Sequence, residues 1–211
     1  MGVKVEDQAP TGAAGSKTPR TARGERTLRK ILDAARDEFG QHGFSDSSIV
    51  GITQRAGVAL GTFYTYFESK ESLFQALVRD MSAQVAATAA PAFVGDAHAL
   101  DAALHGLELF LKFAREHRDV YRIIDEAECV DPAAYREHYE TTASRITARL
   151  ITARQKGEIA ADLSDEELEI LAWASMGANV FLGLRYSVWA SADSNRVAAV
   201  ANRLLRKGLS A

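Results

Sequence analysis

Cysteine is almost absent. Cys129 is the only one in 211 residues, so no intrachain disulfide can form and nothing in the composition points to an oxidising compartment. Proline is nearly as scarce, with four residues, which leaves room for long uninterrupted helices. Long hydrophobic runs are missing too. The longest charge-free stretches, Met81–Gly95 and Ile170–Leu184, are 15 residues each, short of the ~18 needed to cross a membrane. The first 24 residues hold no apolar run, so no cleaved secretory signal is expected, and the chain reads as soluble and cytoplasmic with no membrane partner. An excess of positive charge is also lacking: 25 Lys and Arg face 28 Asp and Glu, a net charge of −3. Taken over the whole chain, that balance speaks against a nucleic-acid partner. Catalytic signatures are missing as well. None of the five histidines follows a Glu at three residues' distance, as di-iron helical bundles require, and there is no nucleophile elbow, phosphate loop or Cys/His zinc cluster. No catalytic residue, metal ligand or cofactor is expected, and the chain does not read as an enzyme.

Hydrophobic residues make up 47% and charged residues 25%, enough for a real core. Residues 1–22 are rich in Gly, Ala, Pro, Ser and Thr and read as a flexible basic arm. The charge is unevenly placed: residues 1–30 carry +4, residues 31–80 carry −3 and residues 81–211 carry −4. Leu28, Ile31, Leu32, Ala35 and Phe39 form one stripe of a 3.6-residue period, predicting a first helix that ends at Gly40–Gly43. A short helix capped by Asp46 or Ser47 and running to Ala56 follows, then a second over 59–66, then a longer one capped by Ser69. Farther on, helices are expected near 97–116, 119–128, 132–157, 165–189 and 194–207. Ser164 and Glu167 make a capping box for the fourth of these. No convincing period-2 run occurs, so the fold class is all-α.

Two short helices joined through Arg55-Ala56-Gly57-Val58 have the form of a helix-turn-helix, in which Gly57 takes the positive φ of the tight turn. The turn sits inside a longer pattern, ILDAARDEFGQHGFSDSSIVGITQRAGVALGTFYTYFESKESL. Residues 27–77 closely resemble the DNA-binding domain of TetR-family transcriptional regulators, down to the Gly-Thr-aromatic-Tyr-x-Tyr-Phe-x-Ser-Lys-Glu run at 61–71. The resemblance implies a helix-turn-helix domain over 23–82, and a helical bundle over 83–211 that binds an effector and dimerises. It further implies a ligand-responsive repressor that binds a palindromic duplex operator as a homodimer. An activator, or a non-specific DNA binder without an effector, is the alternative.

Helix 59–66 then lies in the major groove. Gly61 lets the backbone approach the duplex, Thr62 and Tyr64 can donate to phosphate or base edges, and Tyr66 can reach a phosphate. Both tyrosines could instead pack with Phe63 and Phe67. Two departures from the family pattern stand out: Ala59 where a capping Ser is common, and Leu60 where a polar or basic residue is common. No Arg or Lys occurs between Arg55 and Lys70, so guanine readout by this helix is not expected; Ala59 and Leu60 are assigned to thymine methyl groups. Arg20 and Arg23 of the arm are assigned to the minor groove. Lys70, in the first turn of a helix where the macrodipole opposes a cation, is assigned to a phosphate held at that N-terminus, against the alternative of a solvated lysine. Ser47 is read as a cap, a phosphate donor or both.

The effector pocket is harder to read. Phe110, Tyr121, Tyr135, Tyr139, Trp173 and Met176 are candidates for an apolar lining, with ordinary core packing as the alternative for each. Arg122, Asn179 and Arg185 are polar residues amid apolar helix faces and would need partners if buried. An arginine at a pocket mouth would suit an anionic head group; a salt bridge to Asp125, Glu126 or Glu128 is the alternative. The apolar stripes of the last two helices are assigned to the dimer interface.

Overall fold

Thr21 starts the first helix: its hydroxyl accepts the Gly24 N–H at 3.1 Å. A computed structural model of the chain describes residue 19 and residues 21–209, and these form nine α-helices with no strand. Arg20 and the arm up to residue 18 lie outside the described residues. α1 (Ala22–Asp46) buries Ile31, Leu32, Ala35 and Phe39. α2 (Ile49–Ala56), α3 (Leu60–Tyr66) and α4 (Lys70–Ala89) complete the N-terminal head. A 3-10 turn at Ala90–Phe93 leads to α5 (Ala99–Glu116), α6 (Asp119–Val130), α7 (Pro132–Gln155) and α8 (Asp165–Leu182). A π-helical turn at Gly183–Trp189 and α9 (Ser194–Leu209) close the body.

Three boundaries differ from the sequence reading. α1 does not stop at Gly43; it breaks there, at φ +80°, and continues for another turn to Asp46. Ser48, rather than Asp46 or Ser47, caps α2 by accepting the Gly51 N–H. The eighth helix widens into the π turn from Gly183, where an added side chain would clash with the Tyr121 hydroxyl, so only glycine fits. The expected caps at Ser69 and at Ser164 with Glu167 are present.

The largest apolar cluster runs across the head and into the body. It joins Ile31, Phe39, Phe63 and Phe74 to Ile123, Ile124 and Ala127 of α6. The boundary expected near residue 82 falls inside α4, whose Leu73, Leu77 and Met81 are fully buried in that cluster. Each such side chain is worth roughly 1.5–3 kcal/mol of burial, so the head is not tethered to the body by a loose linker. No helix among the described residues is long and apolar enough to cross a membrane.

Candidate nucleic-acid interface and effector cavity

Gly57 closes α2 in the left-handed conformation, φ +64°, and the Val58 N–H reaches back to Thr53 O at 3.1 Å. That turn sets α3 across α2. Phe63 and Phe67, fully buried, hold the inner side of α3 against the core. The outer side carries Ala59, Leu60, Gly61, Tyr64 and Thr65, all exposed, with Thr62 half-buried at its edge. Ala59 makes no side-chain cap, so the first N–H groups of α3 are left open. Tyr64 is 51% exposed and stands edge-on to Phe63 at 5.3 Å, which orients the ring while leaving its hydroxyl outward of the core. A side chain added at Gly61 would meet nothing within 4 Å, so packing inside the chain does not account for glycine here. Thr65, exposed on the same helix, was not singled out in the sequence although its four-residue spacing from Gly61 puts the two on one face.

Three residues assigned to phosphate do other work. The Lys70 ammonium donates to the carbonyls of Phe44 (2.7 Å), Ser45 (3.3 Å) and Ser47 (2.9 Å), and it lies 4.4 Å from the centre of the Phe44 ring. Its three protons are matched by three acceptors in the last turn and C-cap of α1, so the conflict with the α4 dipole is resolved by carbonyls and an aromatic face, not by an anion. Ser47 is only 4% exposed, and its hydroxyl faces Gly43 O (2.6 Å) and Glu38 O (3.2 Å). It is neither the cap nor placed to donate outward. Tyr66 is half-buried and donates to Gly24 O at 3.2 Å, pinning the start of α1 beside the end of α3. That bond carries Arg23 and Arg26, both exposed and without a carboxylate partner among the described residues, to the neighbourhood of α3. Arg29, by contrast, is committed to Asp80 and Asp33.

The body holds a cavity of about 200 Å³ between α4, α5, α7, α8 and α9. Of the expected lining, Phe110, Tyr139, Met176 and Asn179 face it; Tyr121, Arg122, Tyr135, Trp173 and Arg185 do not. The Tyr121 hydroxyl donates to Val180 O behind the wall, and Tyr135 packs edge-on to Tyr139 against the head's core. Trp173 points outward at 41% exposure, and Arg185 is exposed over the Tyr186 ring. Arg122 leaves the body altogether: it donates to Gly40 O and Gln41 O, and its partner Glu126 accepts the Phe44 N–H at 2.7 Å. Beside Asn179 and Ser175 of α8, the cavity's polar groups include His138, Thr142, Arg145 and Arg149, one stripe of α7, and Asn202 of α9. Their 4-3-4 spacing is legible in the sequence, but a charged stripe on a helix reads by default as a solvated face. Asn202, set in the apolar stripe of α9, carries the same signal that singled out Asn179.

His138 Nδ1 lies 2.6 Å from Ser82 Oγ, and that hydroxyl donates its own proton to Val78 O. This assigns the Nδ1–H tautomer. Burial, helped by Arg145, pushes the ring from the usual 6.5 down to about 4, so it is neutral at pH 7. Among the described residues no cluster of three His, Cys, Asp or Glu could hold a metal ion.

Comparison with known proteins places this geometry. Residues 31–77 match the family model described as bacterial regulatory proteins, tetR family. The HTH-type transcriptional regulator UidR of Escherichia coli (strain K12) is 27% identical over 180 residues, which span 83% of this chain and 86% of that protein. Two solved structures share the fold. A TetR-like transcriptional regulator from Rhodococcus sp. RHA1 superposes with a TM-score of 0.68 at 23% identity, covering 91% of this chain and 98% of the other. The fatty acid degradation regulator FadR from Bacillus halodurans superposes at 0.73 and 17%, covering 85% and 94%. These relatives are regulators rather than enzymes. The matching helix-turn-helix model at residues 31–77, the regulator relative aligned over most of the chain and an all-helical body of the same fold together indicate a TetR-family transcriptional regulator.

Proposed function

We propose that the chain is a ligand-responsive repressor that binds a palindromic operator as a homodimer and is released by a small, mostly apolar effector. The observation that carries this reading is the run of α4: Leu73, Leu77 and Met81 lie in the head's core, and Val85, Ala86 and Ala89 of the same helix line the cavity. An occupant pressing on the second half of α4 displaces a helix joined to α3 through the short link at 67–69 and through the core shared by Phe63, Phe67, Leu73 and Phe74. The domains are 23–82 for DNA binding and 83–211 for effector binding and dimerisation. On the DNA side, Ala59 and Leu60 contact thymine methyls, Gly61 permits the approach, Thr62 and Tyr64 fix register, and Arg23, with Arg20, supplies charge at the groove edge.

The dimer reading rests on exposed apolar stripes. Ile170 (61%), Trp173 (41%) and Phe181 (71%) lie along α8, and Val200 (52%) and Leu204 (75%) along α9. Between them Gly177 opens onto free space, which lets a second helix approach closely. Such a stripe is a liability unless covered, and a second copy would bring two α3 helices to bear on two half-sites. Selection of bound duplexes from a random pool tests the whole reading. A recovered palindrome supports it; equal affinity for every sequence, with a steep salt dependence, contradicts it.

A further inference from the structure

The cavity's polar residues specify more than an apolar occupant. Arg145 and Arg149 stand one turn apart on α7, both facing the cavity, and neither has a carboxylate or hydrogen-bond partner among the described residues. No acidic residue is among those lining it. Arg145 is exposed at the rim and Arg149 half-buried; setting the two guanidinium groups side by side is disfavoured by folding alone, since like charges repel and burial penalises Arg149. Arg149 is further fixed by lying 3.5 Å over the centre of the Phe93 ring, so its position does not depend on an anion to hold it. It also lines a second, more open hollow of about 260 Å³ with Phe93, Thr152, Lys156 and Glu158, whose carboxylate accepts the Ala99 N–H. The guanidinium therefore stands at the junction of an outer vestibule and the inner apolar chamber.

A second observation is independent of charge. Asn202 is 3% exposed, lines the inner chamber, and its Oδ1 has no hydrogen-bond partner. A buried amide left in that state costs stability unless something brought in from outside pairs with it. His138 adds no charge, being neutral, which leaves the two arginines as the cations of the chamber.

Resting on the reading of this cavity as the effector site, we propose that the effector is an amphipathic anion: an apolar body in the inner chamber, a carboxylate or phosphate head group on Arg145 and Arg149, and a hydrogen-bonding group opposite Asn202. The chamber, at about 200 Å³, lies between the ~150 Å³ that admits a benzene ring and the ~300 Å³ of the smallest drug-sized sites. The body is thus a medium-length chain or a single substituted ring.

Direct binding to the full-length protein without DNA, by titration calorimetry, tests this separately from operator recognition. The probes are decanoate, the hydroxydecanoates, decanoyl-coenzyme A and decan-1-ol. At least one anionic probe should bind about tenfold or more tightly than the alcohol, the loss expected when a charge-assisted pair is removed. Preference for decanoate identifies a free acid, and preference for the thioester identifies an acyl carrier; both support the anionic head. Arg145→Gln with Arg149→Gln should abolish the discrimination, and the double lysine variant should restore part of it. Asn202→Leu should weaken the best hydroxydecanoate while leaving decanoate within about twofold. Equal affinity for alcohol and acids, discrimination that survives the double glutamine variant, or no binding by any probe would overturn the proposal. None of these outcomes bears on whether the head recognises an operator.

Discussion

Lys70 shows how one residue can be conspicuous in a sequence and still be misassigned. Its conflict with the α4 dipole is legible in the Ser69-Lys70-Glu71 run, because a cation in a first turn needs a reason. The reason lies at the carbonyls of residues 44, 45 and 47, more than twenty positions upstream, brought close only by the fold. Lys70→Ala should therefore lower stability by about 1–3 kcal/mol while leaving the salt dependence of DNA binding unchanged. A salt slope reduced by about one, the signature of a lost phosphate contact, with unchanged melting would restore the phosphate assignment. His138 gives a second expectation. Its folded-state value of about 4 lies below the usual 6.5, so between those values the unfolded chain binds a proton that the folded chain refuses. The stability this contributes is present above about pH 6.5 and is lost as pH falls toward 4, by at most about 3 kcal/mol. His138→Asn, which can still donate to Ser82, should flatten the fall in melting temperature from pH 7 to pH 5; an identical fall in both proteins would contradict the assignment.

At the scale of elements, the joint between head and body is the end of α1 clamped by α6. Gly43 takes φ +80°, and an added side chain would lie 2.7 Å from Glu126 Oε1 and 2.8 Å from Arg122 Nη2. Gly43→Ala should then cost about 2–4 kcal/mol in urea denaturation, part from the backbone and part from displacing the clamp. Gly95, at φ +92° but facing open space, isolates the backbone part, so Gly95→Ala should cost clearly less. Equal costs would show that the clamp is slack. Most helix spans follow from apolar spacing, and the caps at Ser69 and Ser164 from local chemistry alone. The sequence could not show that Gly43 breaks α1 without ending it, because the final turn is held by Lys70, Arg122 and Glu126 from other helices. Nor could it separate the α7 stripe at 138, 142, 145 and 149 from a solvated face. Which side of a polar helix looks inward depends on what the neighbouring helices leave unfilled.

For the molecule as a whole, the net charge of −3 conceals a basic start and an acidic body. With Lys70 and Arg29 committed internally, the cations left to the DNA-facing end among the described residues are fewer than the sequence suggests, chiefly Arg23, Arg26 and Lys30 on α1. The apolar stripes of α8 and α9 could be recognised in the sequence, but their buried and exposed halves are chemically alike and only the fold divides them. Phe181→Arg, at a site 71% exposed in the single chain, should leave the fold intact and shift the protein to a monomer in light scattering. A dimer that persists would place the interface elsewhere. If effector and operator act through α4, linkage requires the operator to weaken effector binding by the same factor that the effector weakens the operator.

The central claim, that the outer face of α3 reads an operator, is tested most directly by fluorescence anisotropy with the selected duplex and a scrambled one at a single fixed salt concentration. The wild-type protein should prefer its site by about 10³-fold or more. Tyr64→Ala, which removes an exposed ring and little packing, should reduce that preference by about 10- to 100-fold with the melting temperature nearly unchanged. A preference near one for the wild type, or a full preference retained by Tyr64→Ala, would contradict it.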